Sequence, residues 1–265
     1  MAQRYYPHGK LKAFLKVIII LLVIIIINCF RIIIVNFKSN INIKSIDGKS
    51  IQIDSVTREV EIPDDITINL AVIGDIMCHN TQYMDAYKDG IYDFSYVFDD
   101  IREELKKADI SVGNLETTFA GKDRGYSSYP SFNTPESLAW AIKDAGIDLL
   151  STANNHSLDT GYTGLESTIN YLDEAEILHT GTYKSQETQN QTTIVEVKGV
   201  KIAFLSFTYG TNGIPVPAGK EYSVNLLEEE AFVQSQINAA KETNPDIICA
   251  SVHWGIEYAQ KQSDA

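Results

Sequence analysis

Four short polar clusters hold the groups of this chain best suited to chemistry. They are Gly74-Asp75-Ile76-Met77-Cys78-His79, Gly113-Asn114-Leu115-Glu116, Asn154-Asn155-His156 and His253-Trp254-Gly255-Ile256-Glu257. Carboxylate, amide oxygen and imidazole together form a donor set that suits Mn, Fe, Zn or Mg. Two such ions sharing a carboxylate can clamp a phosphate and generate hydroxide at neutral pH. In that scheme Asp75 and Glu116 supply negative charge, with Glu116 as the bridge, and Asn155 and His253 hold the second ion. His156 faces the substrate as donor or general acid, and Asp159 orients it. His79 is a weaker metal candidate, because Cys78 competes with it.

Each of these residues has a plain structural alternative. Asp75 can cap a turn after a strand. Glu116 can be a solvated loop acid, Asn155 a left-handed turn residue and His156 a satisfied loop histidine. His253 can simply pack on Trp254, and Asp159 can bond nearby backbone. Gly161 and Gly164 serve the turn before a helix. His8 and His179 fall outside the clusters and receive no role.

The elements that must carry the clusters read as one α/β domain. Strands are expected at Ile66–Ile73, Asp109–Val112, Ile147–Ser151 and Asp246–Val252, and a hairpin at Thr193–Val197 and Val200–Phe207 around Lys198-Gly199. Helices are expected over Phe98–Lys107, with Ile101 and Leu105 on one face, and from Thr134-Pro135 to Ala145, stopped by Gly146. A capping box at Thr163–Glu166 opens a helix to Ala175, and Leu226–Glu242 is another. Strands alternating with helices imply a largely parallel sheet. Every cluster then follows the carboxyl end of a strand, the edge where open α/β sheets bind ligands. That co-location favours a single shared site over four separate accidents.

The N-terminus reads differently. Val17–Ile27 is an unbroken run of Val, Ile and Leu, and the stretch from Phe14 to Phe30, apolar but for Lys16 and Asn28, covers 17 residues, with Lys16 able to snorkel. At about 1.5 Å per residue it spans about 26 Å, close to the roughly 30 Å of a bilayer core. Four basic residues precede the run and two follow it, which places the N-terminus in the cytoplasm and the remainder outside. Asn28-Cys29-Phe30-Arg31 lacks the small residues of a cleavage or lipidation site, so an uncleaved anchor is preferred to a signal peptide. The expected organisation is a basic cytoplasmic tail (1–10), a transmembrane anchor (11–35), a tether (36–65) and the α/β domain (66–265).

The net charge of −13 is uneven: residues 1–40 carry six basic groups and no acid, leaving −19 on the remainder. An acidic domain of this kind excludes non-specific nucleic-acid binding. The three cysteines, Cys29, Cys78 and Cys249, form neither a disulfide framework nor metal-finger spacing.

From about Asn69 to Tyr258 the chain resembles the CapA family of poly-γ-glutamate capsule synthesis proteins. The residues that carry the resemblance are Gly-Asp-Ile-Met at 74–77, Asn-Leu-Glu at 114–116, Phe-Asn-Thr-Pro at 132–135, Ala-Asn-Asn-His-Ser-Leu-Asp-Thr-Gly at 153–161 and His-Trp-Gly-Ile-Glu-Tyr at 253–258. The resemblance implies a domain similar to calcineurin-like metallophosphoesterases, with the four-layer αββα sandwich of that superfamily. It also implies that Asp75 matches the first metal aspartate, Glu116 the bridging acid, Asn155-His156 the Asn-His pair and His253 the next metal histidine. Two departures stand out. The superfamily's Asp-x-His opening is replaced by Asp75 with His79 four positions on, and its closing Gly-His-x-His is absent before Ala265, so the fold is expected to be C-terminally incomplete. The functions implied are a membrane-anchored, metal-dependent hydrolase or transferase of capsule or exopolymer synthesis, or a non-catalytic assembly or polymer-binding subunit. Expected partners are the membrane, an anionic capsule polymer or its precursor, and capsule synthase subunits.

Overall fold

The structure is a computed structural model describing residues 45–46, 50–51, 65–256 and 259. It divides into two units, 1–64 and 65–265. In the first, Ser45–Ile46 pairs antiparallel with Ser50–Ile51. The expected tail (1–10), the anchor (11–35) and the rest of the tether lie outside the described residues. Among the described residues no helix is long and apolar enough to cross a membrane.

The second unit is a mixed α/β fold. Strands β1 (Leu70–Ile76), β2 (Ile110–Leu115), β3 (Leu149–Ser151) and β4 (Leu178–Thr180) form a parallel sheet in sequence order. A second sheet has the order β7 (Ile247–His253), β6 (Val200–Thr208), β5 (Thr193–Val197), with β6 parallel to β7 and antiparallel to β5. The helices are α1 (Asn80–Ala86), α2 (Arg102–Lys107), α3 (Ser137–Ala145), α4 (Gly161–Glu174) and α5 (Glu230–Glu242), with one further turn at Gln186–Gln189.

The period of two along a strand sorts the side chains between layers. Ile110, Val112 and Leu149 of the first sheet meet Ile202 and Phe204 of the second. On the opposite face of the first sheet, Leu115 and Leu150 pack with Leu105 of α2, Leu138 and Ile142 of α3, and Leu172 of α4. On the far face of the second sheet, Ala203, Leu205 and Phe207 pack with Phe232, Val233 and Ala240 of α5. The two sheets therefore share one apolar layer, and each turns its other face to helices.

Several boundaries differ from the sequence expectation, each for a local reason. β1 begins at Leu70 rather than Ile66, where its ladder with Ile110 starts, and it runs through Gly74 and Asp75 to Ile76 after a register shift. The helix expected over 98–107 is a 3₁₀ turn, Ser95–Phe98, followed by α2; Leu105 is buried but Ile101 is 40% exposed. α3 begins at Ser137, because the Thr134 N–H donates to the Thr118 carbonyl and its hydroxyl pairs with that of Thr117. Its end is as expected, with Gly146 left-handed at φ 95°. Thr163–Glu166 lies inside α4, whose N-cap position is Thr160 without a side-chain capping bond, so no capping box forms at 163–166. α5 begins only at Glu230, because Leu227 N–H still bonds the Thr208 carbonyl beside β6. Helix α1 and strand β4 were not foreseen.

Candidate metal centre

The carboxyl ends of β1, β2 and β7 bring Asp75, Glu116 and His253 together. One ligand atom from each lies within 4.8 Å of the others. Asp75 is exposed, Glu116 is buried and His253 is half-buried, so the cluster opens to solvent on the Asp75 side. Glu116 Oε1 is 3.8 Å from His253 Nε2 and 3.9 Å from His156 Nε2. Two imidazoles, one from the loop after β3 and one from the end of β7, thus face one buried carboxylate oxygen.

Asn114 ties the cluster to the sheet. Its Oδ1 accepts hydrogen bonds from Ser151 Oγ (3.0 Å) and Asn154 Nδ2 (3.2 Å). With the oxygen held by two donors, the amide nitrogen must point the other way. There Nδ2 donates to Asp75 Oδ1 at 2.8 Å and lies 3.4 Å from Glu116 Oε2 and 3.5 Å from His253 Nδ1. A neutral donor between two carboxylates offsets part of their mutual repulsion.

The loop after β3 is the most enclosed part of the site. Asn154, Asn155 and His156 are all buried. Asn154 Nδ2 also donates to the Leu115 carbonyl at 2.7 Å, and its Oδ1 accepts the His156 N–H at 3.1 Å, joining the loop to β2. His156 Nδ1 is 2.7 Å from Asp159 Oδ2. That oxygen also accepts the Phe132 N–H at 2.7 Å. A carboxylate oxygen that accepts a backbone N–H leaves the imidazole as the donor, so Nδ1 carries hydrogen and Nε2 faces Glu116. Phe132 packs edge-on against the His156 ring at 4.8 Å.

The sequence-expected residues divide as follows. Asp75, Glu116 and His253 converge, with His156 and Asp159 beside them as an oriented pair. Asn155, expected to share an ion with His253, gives its amide nitrogen to Asn212 Oδ1 at 3.1 Å. His79 is exposed, precedes α1, and packs edge-on against Phe132, with ring centroids 5.2 Å apart. It is no member of the ligand group. Its competitor Cys78 is buried in the helix-facing core, where burial pushes its thiol up to about 11 and keeps it protonated at neutral pH.

Sequence reasoning gave no role to Ser151, Asn154 or Asn212, and placed Asn114 in a motif without a function. Tyr209 was also overlooked; its ring stacks on His253, with centroids 6.2 Å apart and planes at 14°. Tyr209 and Asn212 follow the carboxyl end of β6, so the strand-end rule that found the other clusters would also have found them.

The donor set fits a divalent cation: two carboxylates and an imidazole within reach of one point, with a second imidazole 3.9 Å from the Glu116 carboxylate. It does not choose among Mn, Fe, Zn and Mg.

A family model described as "Bacterial capsule synthesis protein PGA_cap" matches residues 69–265. "Capsule biosynthesis protein CapA" of Bacillus anthracis is 29% identical over 205 residues, covering 74% of this chain and 48% of that protein. "PGA biosynthesis protein CapA" of Bacillus subtilis is 24% identical over 214 residues, covering 78% of this chain and 54% of that protein. The chain thus spans about half the length of these curated relatives. A solved Staphylococcus aureus structure, described as a "Putative 5'-Nucleotidase" in complex with alpha-ketoglutarate, aligns at a TM-score of 0.45 with 15% identity, over 72% of this chain and 38% of that one. That likeness is too loose to carry an argument.

Proposed function

We propose, because the chain belongs to the bacterial capsule synthesis protein (PGA_cap) family, that its α/β domain is a metal-dependent hydrolase or transferase serving synthesis of a capsule polymer. The observation that carries this reading is the convergence of Asp75, Glu116 and His253 beside the oriented His156–Asp159 pair. In this reading the domain is a metallophosphoesterase-type αββα sandwich. Residues 11–35 anchor it by a single span, with residues 1–10 in the cytoplasm and the domain on the outer face.

Asp75, Glu116 and His253 would hold a divalent ion. When bound, such an ion supplies positive charge to a developing oxyanion and acidifies water. The chain's own residues do the rest. Asp159 keeps the His156 Nδ1–H and turns Nε2 into the site, where it can give a proton to a leaving group or take one from an attacking water. The exposed Asp75 side admits substrate, while Asn154 holds the buried Asn155-His156 loop to β2 through the Leu115 carbonyl and Asn114 Oδ1. The substrate class that suits this arrangement is a phosphoester, or an amide bond of an acidic polymer. The acidic domain repels such a polymer, so the cations of the site also bridge two like-charged partners.

The test is turnover by the intact protein. With Mn²⁺ it should hydrolyse a chromogenic phosphodiester, and Asp75→Ala and His156→Ala should abolish that activity. Variants as active as the parent would overturn the assignment.

A further inference from the structure

Asn212 lies outside the four polar clusters, on the loop after β6, yet it touches two of the most buried residues of the candidate site. Its Oδ1 accepts from Asn155 Nδ2 at 3.1 Å, and its Nδ2 lies 3.4 Å from His156 Nδ1. The His156 Nδ1–H is already committed to Asp159, so the second approach is a packing contact, whereas the first is a hydrogen bond. Asn212 sits in a hydrogen-bonded turn. It has φ 51° and is followed by Gly213 at φ 75°, a left-handed pair that Asn and Gly tolerate best. The turn is closed by Ile214 N–H to the Thr211 carbonyl (2.9 Å) and by Thr211 Oγ1 to the Ile214 carbonyl (2.6 Å). The same loop grips the other half of the site: Tyr209 N–H donates to the His253 carbonyl at 3.1 Å, and the Tyr209 ring stacks on that histidine.

We propose that Asn212 is a positioning residue for the metal centre, fixing the Asn155 amide so that its oxygen is the atom offered to a cation. An amide ligates hard cations through oxygen, and a free amide can rotate to present either end. Committing the nitrogen to Asn212 removes the wrong orientation. Segment 209–212 thereby links the His253 side, carried by the second sheet, to the Asn155-His156 loop, carried by the first. This inference rests on the metal-centre reading and adds to it a residue that supports a ligand without binding the ion.

The experiment measures Mn²⁺ affinity of the intact protein from the free-Mn²⁺ electron paramagnetic resonance signal, alongside thermal unfolding without metal. Asn212→Gly keeps the left-handed turn and deletes the amide. It should weaken Mn²⁺ binding about 10-fold or more, the usual cost of losing a ligand's supporting partner. Asn212→Asp keeps an acceptor for Asn155 Nδ2 and should bind at least as tightly as the parent. Asp75→Ala is the reference for the centre itself. If the parent binds Mn²⁺ no better than Asp75→Ala, the metal centre is wrong and this inference falls with it. If the parent binds in an Asp75-dependent way but Asn212→Gly matches it, or Asn212→Asp loses as much as Asn212→Gly, the positioning role alone is overturned.

Discussion

His156 Nδ1 sits 2.7 Å from Asp159 Oδ2, one turn further along the same buried loop. Both side chains are almost wholly enclosed, at 4% and 1% exposure. The pair is held from outside the loop by the Phe132 N–H on the shared carboxylate oxygen and by the Ser131 hydroxyl on the Asp159 carbonyl. The arrangement fixes which imidazole nitrogen carries hydrogen, and it leaves Nε2 pointing at the acid of β2.

Asp159→Ala tests that tautomer. One oxygen, Asp159 Oδ2, both accepts the Phe132 N–H and faces His156 Nδ1, so removing the carboxylate leaves nothing to hold the hydrogen on Nδ1. Turnover of a chromogenic phosphodiester should fall on the order of 10²–10⁴-fold, the range seen when a buried His loses its orienting carboxylate. Mn²⁺ affinity should stay close to that of the parent. A variant with full activity would show that the tautomer does not matter.

Metal should stabilise the fold through Asp75 and Glu116. At a Mn²⁺ concentration about 100 times its Kd, binding contributes about 2.7 kcal/mol. For a domain of this size that corresponds to about 5–10 °C in Tm. Calorimetry should show this rise for the parent and none for Asp75→Ala. Without metal, Glu116→Gln should unfold no lower than the parent, since it removes one of two neighbouring carboxylates. A marked loss of stability in metal-free Glu116→Gln would mean that the buried acid is structural.

His179 gives the fold a defined acid sensitivity. Burial holds its imidazole below the ordinary 6.5, outweighing the opposite pull of Asp173, whose carboxylate is 3.1 Å from Nε2. As pH falls through 6.5 the unfolded chain takes up a proton that the folded chain accepts only at lower pH. Stability is therefore full above about pH 6.5 and declines from there towards the folded value. Urea midpoints at pH 7.5 and 5.5 should separate more for the parent than for His179→Gln. Equal separations would remove this group as the cause.

Gly181, immediately after β4, lies against both the site loop and β6 of the second sheet, with no room for a side chain. Its φ is 112°, and a Cβ there would stand 2.7 Å from the backbone nitrogen of Ala153 and 2.8 Å from Ser206 Oγ. Ala153 immediately precedes the Asn154-Asn155-His156 cluster. Gly181→Ala should cost on the order of 1–3 kcal/mol in a denaturant titration and weaken Mn²⁺ binding as well. A parent-like midpoint would show that the loop can shift freely.

Much of this was legible in the residues themselves. The alternation of apolar strands with helix signals established a parallel α/β sheet, and the hairpin at Lys198-Gly199 falls where expected, with both residues left-handed. Asp75, Glu116, His156 and His253 were recognisable because strand ends in such sheets share one edge, so polar clusters after strands point to a common place. The apolar run at 14–30 was equally plain, although it lies outside the described residues.

Other features depended on partners far away in the chain. The helix starts at Ser137 and Glu230 were set by hydrogen bonds to Thr117, Thr118 and Thr208, which no local pattern contains. His79 packs on Phe132 rather than joining the ligand group, and Asn212 reaches Asn155 across 57 positions of sequence. Sequence by itself determined which side chains project from the strands and at which end, because the period of two and the strand polarity are local properties of the backbone. Only the tertiary structure decided which of them meet, because that depends on how two sheets pack face to face and on which loops then reach across their shared edge.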